Sequence, residues 1–163
     1  MRCERCGSSS VGDGALCAER CIEVAGHRFT AELPAVRCQA CGQLGASASV
    51  LERFELLAAR SLADAGASSG EAFAFMRRAL GIPAERLAPL LDLRPADLAR
   101  WDKADFVYRS AVEIVAGLIR RRLDGGDSRT LEPRAAENLL LAYHAPRPLA
   151  KSVRFDIRVE QLA

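Results

Sequence analysis

Hydrophobic positions along the 163-residue chain change their period several times. Near the start, Cys21–Val24 and Arg28–Leu33 form two short runs of extended character on either side of Ala25-Gly26, a pattern that predicts a β-hairpin. From Val50 to Ala65 the period becomes helical: Leu51, Phe54, Leu57 and Leu62 make an apolar stripe, Ser49 with Glu52 forms a capping box, and Gly66 can end the helix. The stretch AGASSG over 65–70 then reads as a linker. A second capping box, Ser68 with Glu71, opens a helix carrying Phe73, Met76 and Leu80 and closed by Gly81. Pro83 and Pro95 each suit the first position of a further short helix. Leu87, Leu90 and Leu91 face inward on one, and Leu98 and Trp101 on the other. After a loop over 102–105, Val107, Ala111, Ile114, Val115, Leu118 and Ile119 continue a helical stripe to about Leu123, where Gly125-Gly126 stops it. Pro133 opens a last helix with Leu139, Leu140 and Tyr143 available for packing. Finally Val153, Phe155, Ile157 and Val159 alternate with Arg154, Asp156, Arg158 and Glu160, the period of a half-buried strand. A single strand needs a partner, and the hairpin or its own twin across a dimer are the favoured ones, ahead of the sheet edge of another protein.

Composition narrows the class without changing this outline. The chain is 50% hydrophobic and 27% charged, which is globular, and its apolar runs fall far short of the ~20 residues of a membrane span, so no membrane partner is expected. The first residues, MRCERCG, lack the apolar core of a secretory signal, so a reducing, cytoplasmic setting is expected. A net charge of +2 from 23 basic and 21 acidic residues attracts nucleic acid weakly, leaving any such affinity to local placement of charge.

The cysteines carry the clearest chemistry. Cys3 and Cys6 form one C-x-x-C pair, Cys38 and Cys41 a second, and each is followed by a glycine, Gly7 and Gly42. Two residues between thiols let both sulfurs of a knuckle face one ion, and two knuckles complete a tetrahedral four-thiolate zinc site with no position left for water or substrate. Such a closed site is structural. The hairpin is what would bring the knuckles together, so the predicted module is a zinc ribbon. At about 45 residues it buries too little surface to fold alone, and metal binding should supply much of its folding free energy. A redox C-x-x-C belongs at the start of a helix in a βαβ setting, which is missing. Cys17 and Cys21 are expected to fill the ribbon as small apolar side chains rather than to join His27 at a second metal. His27 is expected to be solvated, and His144 has no ligand-like neighbours.

The segment FMRRALGIPAERLAPLLDLRPADLARWDKA, residues 75–104, resembles the Xre/Cro-type helix-turn-helix. A four-cysteine ribbon followed by this element resembles the MqsA (YgiT-type) antitoxin family, over about residues 1–125. The resemblance implies a zinc-bearing N-terminal domain that meets a ribonuclease toxin, and a dimeric C-terminal domain that binds operator DNA and represses its own operon. It places Arg94, Ala96, Arg100, Lys103 and Arg109 at the DNA-facing edge. The chain departs from the pattern at Pro83 and Ala84, where Ser-Gln or Thr-Gln usually grips a phosphate, at Ala96, where Asn usually reads a base, and at Ala104, where glycine is usual. Asp97 adds local repulsion, and Arg120–Arg122 reads as a solvated helix end complementing the dipole.

The expectation is therefore an α+β chain: a zinc ribbon over 1–47, a helix and linker over 48–69, an all-α helix-turn-helix domain over 70–126, and a helix and C-terminal strand over 127–163. The expected function is zinc-stabilised DNA-binding transcription regulation of the antitoxin kind, by a homodimer. A protein-interaction adaptor that has lost specific DNA reading is the alternative. No enzymatic role is expected: no glycine-rich phosphate loop, no histidine beside a nucleophile and no open-site metal motif occurs, and the acids Asp102 and Asp105 fall in a loop where solvation explains them.

Overall fold

The extended chain begins with β1, Leu16–Val24, and β2, His27–Arg37, in a computed structural model that describes residues 2–9, 12, 16–125 and 147–157. The helix expected at Pro133, with Leu139, Leu140 and Tyr143, lies outside the described residues, as do Gly126, His144, Arg158, Val159 and Glu160. Both strands run longer than their sequence pattern suggested. They meet at Ala25 and Gly26, whose φ values of 49° and 76° are both left-handed, the backbone of a two-residue turn matched to strand twist. Phe29, Ala31, Leu33 and Ala35 alternate inward from β2, all at or below 5% exposure. Burying a side chain the size of Phe29 or Leu33 contributes about 1.5–3 kcal/mol.

Strand β2 is the centre of the sheet. Strand β1 flanks one edge, and two short strands share the other: β3, Leu44–Ala46, antiparallel to Ala35–Arg37, and β4, Ser152–Asp156, parallel to Arg28–Glu32. Pro34, with no N–H to donate, falls in the interval between these two partners, which is why β2 continues through it. The alternating C-terminal segment therefore joins the hairpin, the first of its two favoured placements. Its register stacks Phe155 on Phe29, with ring centroids 6.1 Å apart and planes 6° from parallel, and sets it edge-on to Phe54 at 6.1 Å. Arg154 reaches Glu32 at 2.7 Å on the exposed face.

Helix α1, Ala48–Asp64, starts two residues ahead of the expected Val50, whose capping box would have opened at Ser49. The Val50 N–H donates to Ser47 Oγ at 3.4 Å, so Ser47 is the cap, and the hydroxyl of Ser49, already inside the helix, meets that of Ser47. Gly66 at φ 67° ends it, as expected, with the Gly66 and Ala67 N–H groups donating to the carbonyls of Ala63 and Leu62.

Four helices follow: α2, Gly70–Ala79; α3, Ala84–Leu87, continued by a 3-10 turn over Ala88–Leu91; α4, Pro95–Trp101; and α5, Arg109–Leu123. The cap of α2 is Ser69, which accepts from the Ala72 N–H at 3.3 Å; Ser68 instead gives its carbonyl to the Val107 N–H at 2.7 Å. The shift has a steric cause. Gly70 lies so close to the α4–α5 loop that a Cβ there would meet the carbonyl oxygens of Trp101 at 2.3 Å and Ala104 at 2.5 Å, so only glycine can occupy this first helical position. Pro83 caps α3 from outside rather than opening it, whereas Pro95 takes the first turn of α4 as expected. Leu87 is fully buried, but Leu90 and Leu91 are half-buried, because Pro89 turns that stretch into a 3-10 helix ending at left-handed Asp92, φ 54°. Val107 is buried from the loop ahead of α5. Asp64 accepts two bonds from Arg120, at 2.7 and 3.1 Å, so Arg120 is committed to an ion pair rather than solvated.

Among the described residues the fold is thus α+β, a small sheet with five helices. It divides into two compact units: one within Met1–Glu23, His27–Glu55 and Lys151–Ala163, the other within Val24–Gly26 and Leu56–Ala150. No helix among the described residues is long and apolar enough to cross a membrane.

Candidate functional site

Each C-x-x-C pair folds into the same loop. The Gly7 N–H donates to the Cys3 carbonyl at 2.8 Å and the Cys3 N–H to the Ser8 carbonyl at 2.9 Å; the Gly42 N–H donates to the Cys38 carbonyl at 2.8 Å and the Cys38 N–H to the Gln43 carbonyl at 2.9 Å. Both bonds of each loop require left-handed backbone after the second cysteine, supplied by Gly7 at φ 70° and Gly42 at φ 72°. The result is two hairpin knuckles, one ahead of β1 and one directly after β2.

Together they bring the four thiols into one cluster. Cys3 Sγ lies 3.6 Å from Cys41 Sγ, Cys6 Sγ lies 3.6 Å from Cys38 Sγ, and all four sulfurs lie within 4.8 Å of one another. These distances are far beyond the ~2.05 Å of a disulfide. They match the edge of a sulfur tetrahedron, about 3.8 Å when the metal–sulfur bond is ~2.3 Å. Cys38 is buried, Cys3 and Cys41 are half-buried, and Cys6 is exposed. The N–H of Cys6, and then that of Arg5, point at the Cys3 sulfur and hold its pKa down at about 6. For Cys6 the Ser8 N–H pulls downward most, but the crowded sulfurs of Cys41 and Cys38 outweigh it and push the thiol up to about 12. One thiolate forms readily and a neighbouring one resists ionisation, the electrostatics of a cluster that a shared cation would relieve.

Among the described residues this is the sole group of three or more candidate ligands close enough to share an ion. Cys17 and Cys21 do not join it, and neither fills the sheet: both are exposed, on the outward face of β1, contrary to the expectation of small buried side chains. His27 is half-buried, not solvated, with its ring 6.4 Å from that of Phe29.

The helical unit carries the other candidates. Arg94, Ala96, Arg100, Lys103 and Arg109 are all exposed, while Leu98 of α4 is fully buried. Most of this positive charge is already matched. Asp97 accepts from Arg94 Nε at 2.8 Å and from the Arg100 guanidinium as well, and Arg109 Nε reaches Glu113 at 2.9 Å. The hydrogen bond from Arg94, reinforced by that from Arg100, holds the Asp97 carboxyl down at about 2. Asp97 is therefore a clamp on two neighbouring guanidiniums, and its three-residue spacing from each was the signal for that role. Asp102 is not solvated as expected. It pairs with Arg77 in a half-buried contact, and Asp102 Oδ1 and Arg77 Nε are buried with no hydrogen-bond partner. Trp101 packs edge-on to Phe73 at 6.0 Å and against exposed Tyr108 at 5.6 Å.

Compared with protein-family models, with curated proteins and with solved structures, the chain matches none.

Proposed function

We propose that this chain is a zinc-stabilised, DNA-binding transcription regulator of the antitoxin kind, in which α2 to α5 act as an Xre-type helix-turn-helix on operator DNA. The observation that carries the reading is the outward placement of Arg94, Ala96 and Arg100 on a short helix anchored by buried Leu98, with exposed Lys103 just beyond its end. Arg94 is 80% exposed, and an ion pair whose guanidinium is open to solvent is worth only about 0–1 kcal/mol, so a phosphate can replace Asp97 at small cost. Zinc as the resident ion is supported by the all-sulfur donor set and the spacing of the four sulfurs. With four protein ligands its role is structural. A homodimer, a ribonuclease toxin as partner and repression of its own operon follow from the resemblance to the MqsA type.

The test is a salt titration of the full chain against DNA from its own upstream region and against scrambled DNA. The regulator prefers the former and loses affinity steeply as salt rises. The second reading, a protein-interaction adaptor, is favoured by one observation, the Asp97 clamp on the two arginines best placed to read bases. Negligible, equal binding to both DNAs would refute the regulator and favour the adaptor.

A further inference from the structure

A cavity of about 610 Å³ opens beside the cysteine knuckles. Separate stretches of chain build it: the first knuckle contributes Arg2 and Arg5, β1 contributes Arg20, and β2, β3 and the start of α1 contribute Val36, Leu44 and Leu51. The three arginines are exposed and the three aliphatic side chains half-buried, so guanidiniums border an apolar bed. Among the described residues, Glu4 is the one acid in the lining. Elsewhere Arg28, Arg94 and Arg154 each hold a carboxylate within 2.8 Å. Among the described residues, no ion pair joins Arg2, Arg5 or Arg20 to any acid.

We infer that this cavity binds a small amphipathic anion, a carboxylate or phosphate ester carrying a compact apolar body. Three like charges around one concavity repel one another unless an anion sits among them, and the planar guanidinium matches both head groups in two-pronged fashion. The volume falls within the roughly 300–1,000 Å³ of small-molecule sites, whose walls are mainly apolar with a few converging polar groups. The competing counter-charge is the thiolate cluster next door, since Cys3 and Cys38 also border the cavity. Among the described residues no hydrogen bond joins the three guanidiniums to a cysteine sulfur, which leaves their donors available to a ligand. Sequence inspection alone does not find this site, because Arg2, Arg5 and Arg20 follow no motif and meet only in the folded sheet.

The experiment follows backbone amide NMR shifts of the zinc-loaded full chain on addition of sodium octanoate, phenyl phosphate, inorganic phosphate and 1-octanol. Saturable shifts centred on Arg20, Leu44, Gly45 and Leu51 are expected with octanoate, phenyl phosphate or both, and which of them binds tighter identifies the head group. Inorganic phosphate and 1-octanol, each lacking half of the recognition, should bind at least about tenfold more weakly. Arg5→Gln combined with Arg20→Gln should weaken the favoured anion by about tenfold or more, with zinc content unchanged by elemental analysis. If that double variant does not fold, Arg20→Lys keeps the charge, loses the planar fork, and should weaken the anion about three- to tenfold. Absence of saturable shifts with either anion, or equal affinity in a folded variant, would overturn the inference. So would loss of zinc on substitution, which would make the arginines counter-ions of the metal site.

Discussion

Asp97→Asn removes one negative charge from α4 and little else, because asparagine keeps the shape of the side chain. In the native chain Asp97 is only 18% exposed and accepts from Arg94 at 2.8 and 3.2 Å and from Arg100, whose side chains are 80% and 74% exposed. The substitution raises the local charge by one and frees two guanidiniums. Each phosphate neutralised steepens the dependence of log Kobs on log salt by about 0.9. The slope per subunit should therefore steepen by about 0.9 if one net charge is gained and by about 1.8 if both arginines reach phosphates. Between 200 and 50 mM salt that is an additional gain of roughly 3- to 12-fold over the native chain. Fluorescence anisotropy with a labelled upstream duplex, repeated at four or five salt concentrations, measures it. An unchanged slope with unchanged affinity would mean that α4 does not face DNA, and would move the reading to the adaptor.

Three further outcomes test other parts of the structure. Gly70→Ala drives a Cβ into backbone oxygens of Trp101 and Ala104 that cannot rotate away, and should cost about 2–3 kcal/mol in urea unfolding followed by the fluorescence of Trp101, the sole tryptophan; equal stability would refute the close approach. Asp97 should titrate with a midpoint near 2 by carboxyl-carbon NMR; since its folded pKa is depressed, its contribution to stability is present above the ordinary 3.8 and is lost as pH falls through about 2, and a midpoint near 3.8 would show the clamp to be absent. Cys38→Ser should abolish stoichiometric zinc and the near-UV signal of the sheet unit while the Trp101 environment persists, and retained metal stoichiometry would contradict the four-sulfur ligand set.

What the chain's own order determined is whatever depends on neighbours a few residues apart. The knuckles were readable because Cys3–Gly7 and Cys38–Gly42 close their hydrogen bonds within five residues, and the glycine each needs at positive φ stands in the motif. The Ala25-Gly26 turn, the stop at Gly66, Pro95 in the first turn of α4 and the alternation of β4 were legible for the same reason. What only tertiary structure decided involves groups far apart in sequence. Ser69 rather than Ser68 caps α2 because the loop after Trp101 presses on Gly70. Pro34 is tolerated in β2 because β3 and β4 divide its edge. Cys17 and Cys21 face outward because the inward side of the sheet is filled by Phe29, Leu33 and Phe155. Asp102 and Arg120 lost their expected solvation to Arg77 and Asp64, partners 25 and 56 residues away. Period and turn geometry are short-range properties of the backbone, whereas burial and counter-charge are set by what folding brings from elsewhere.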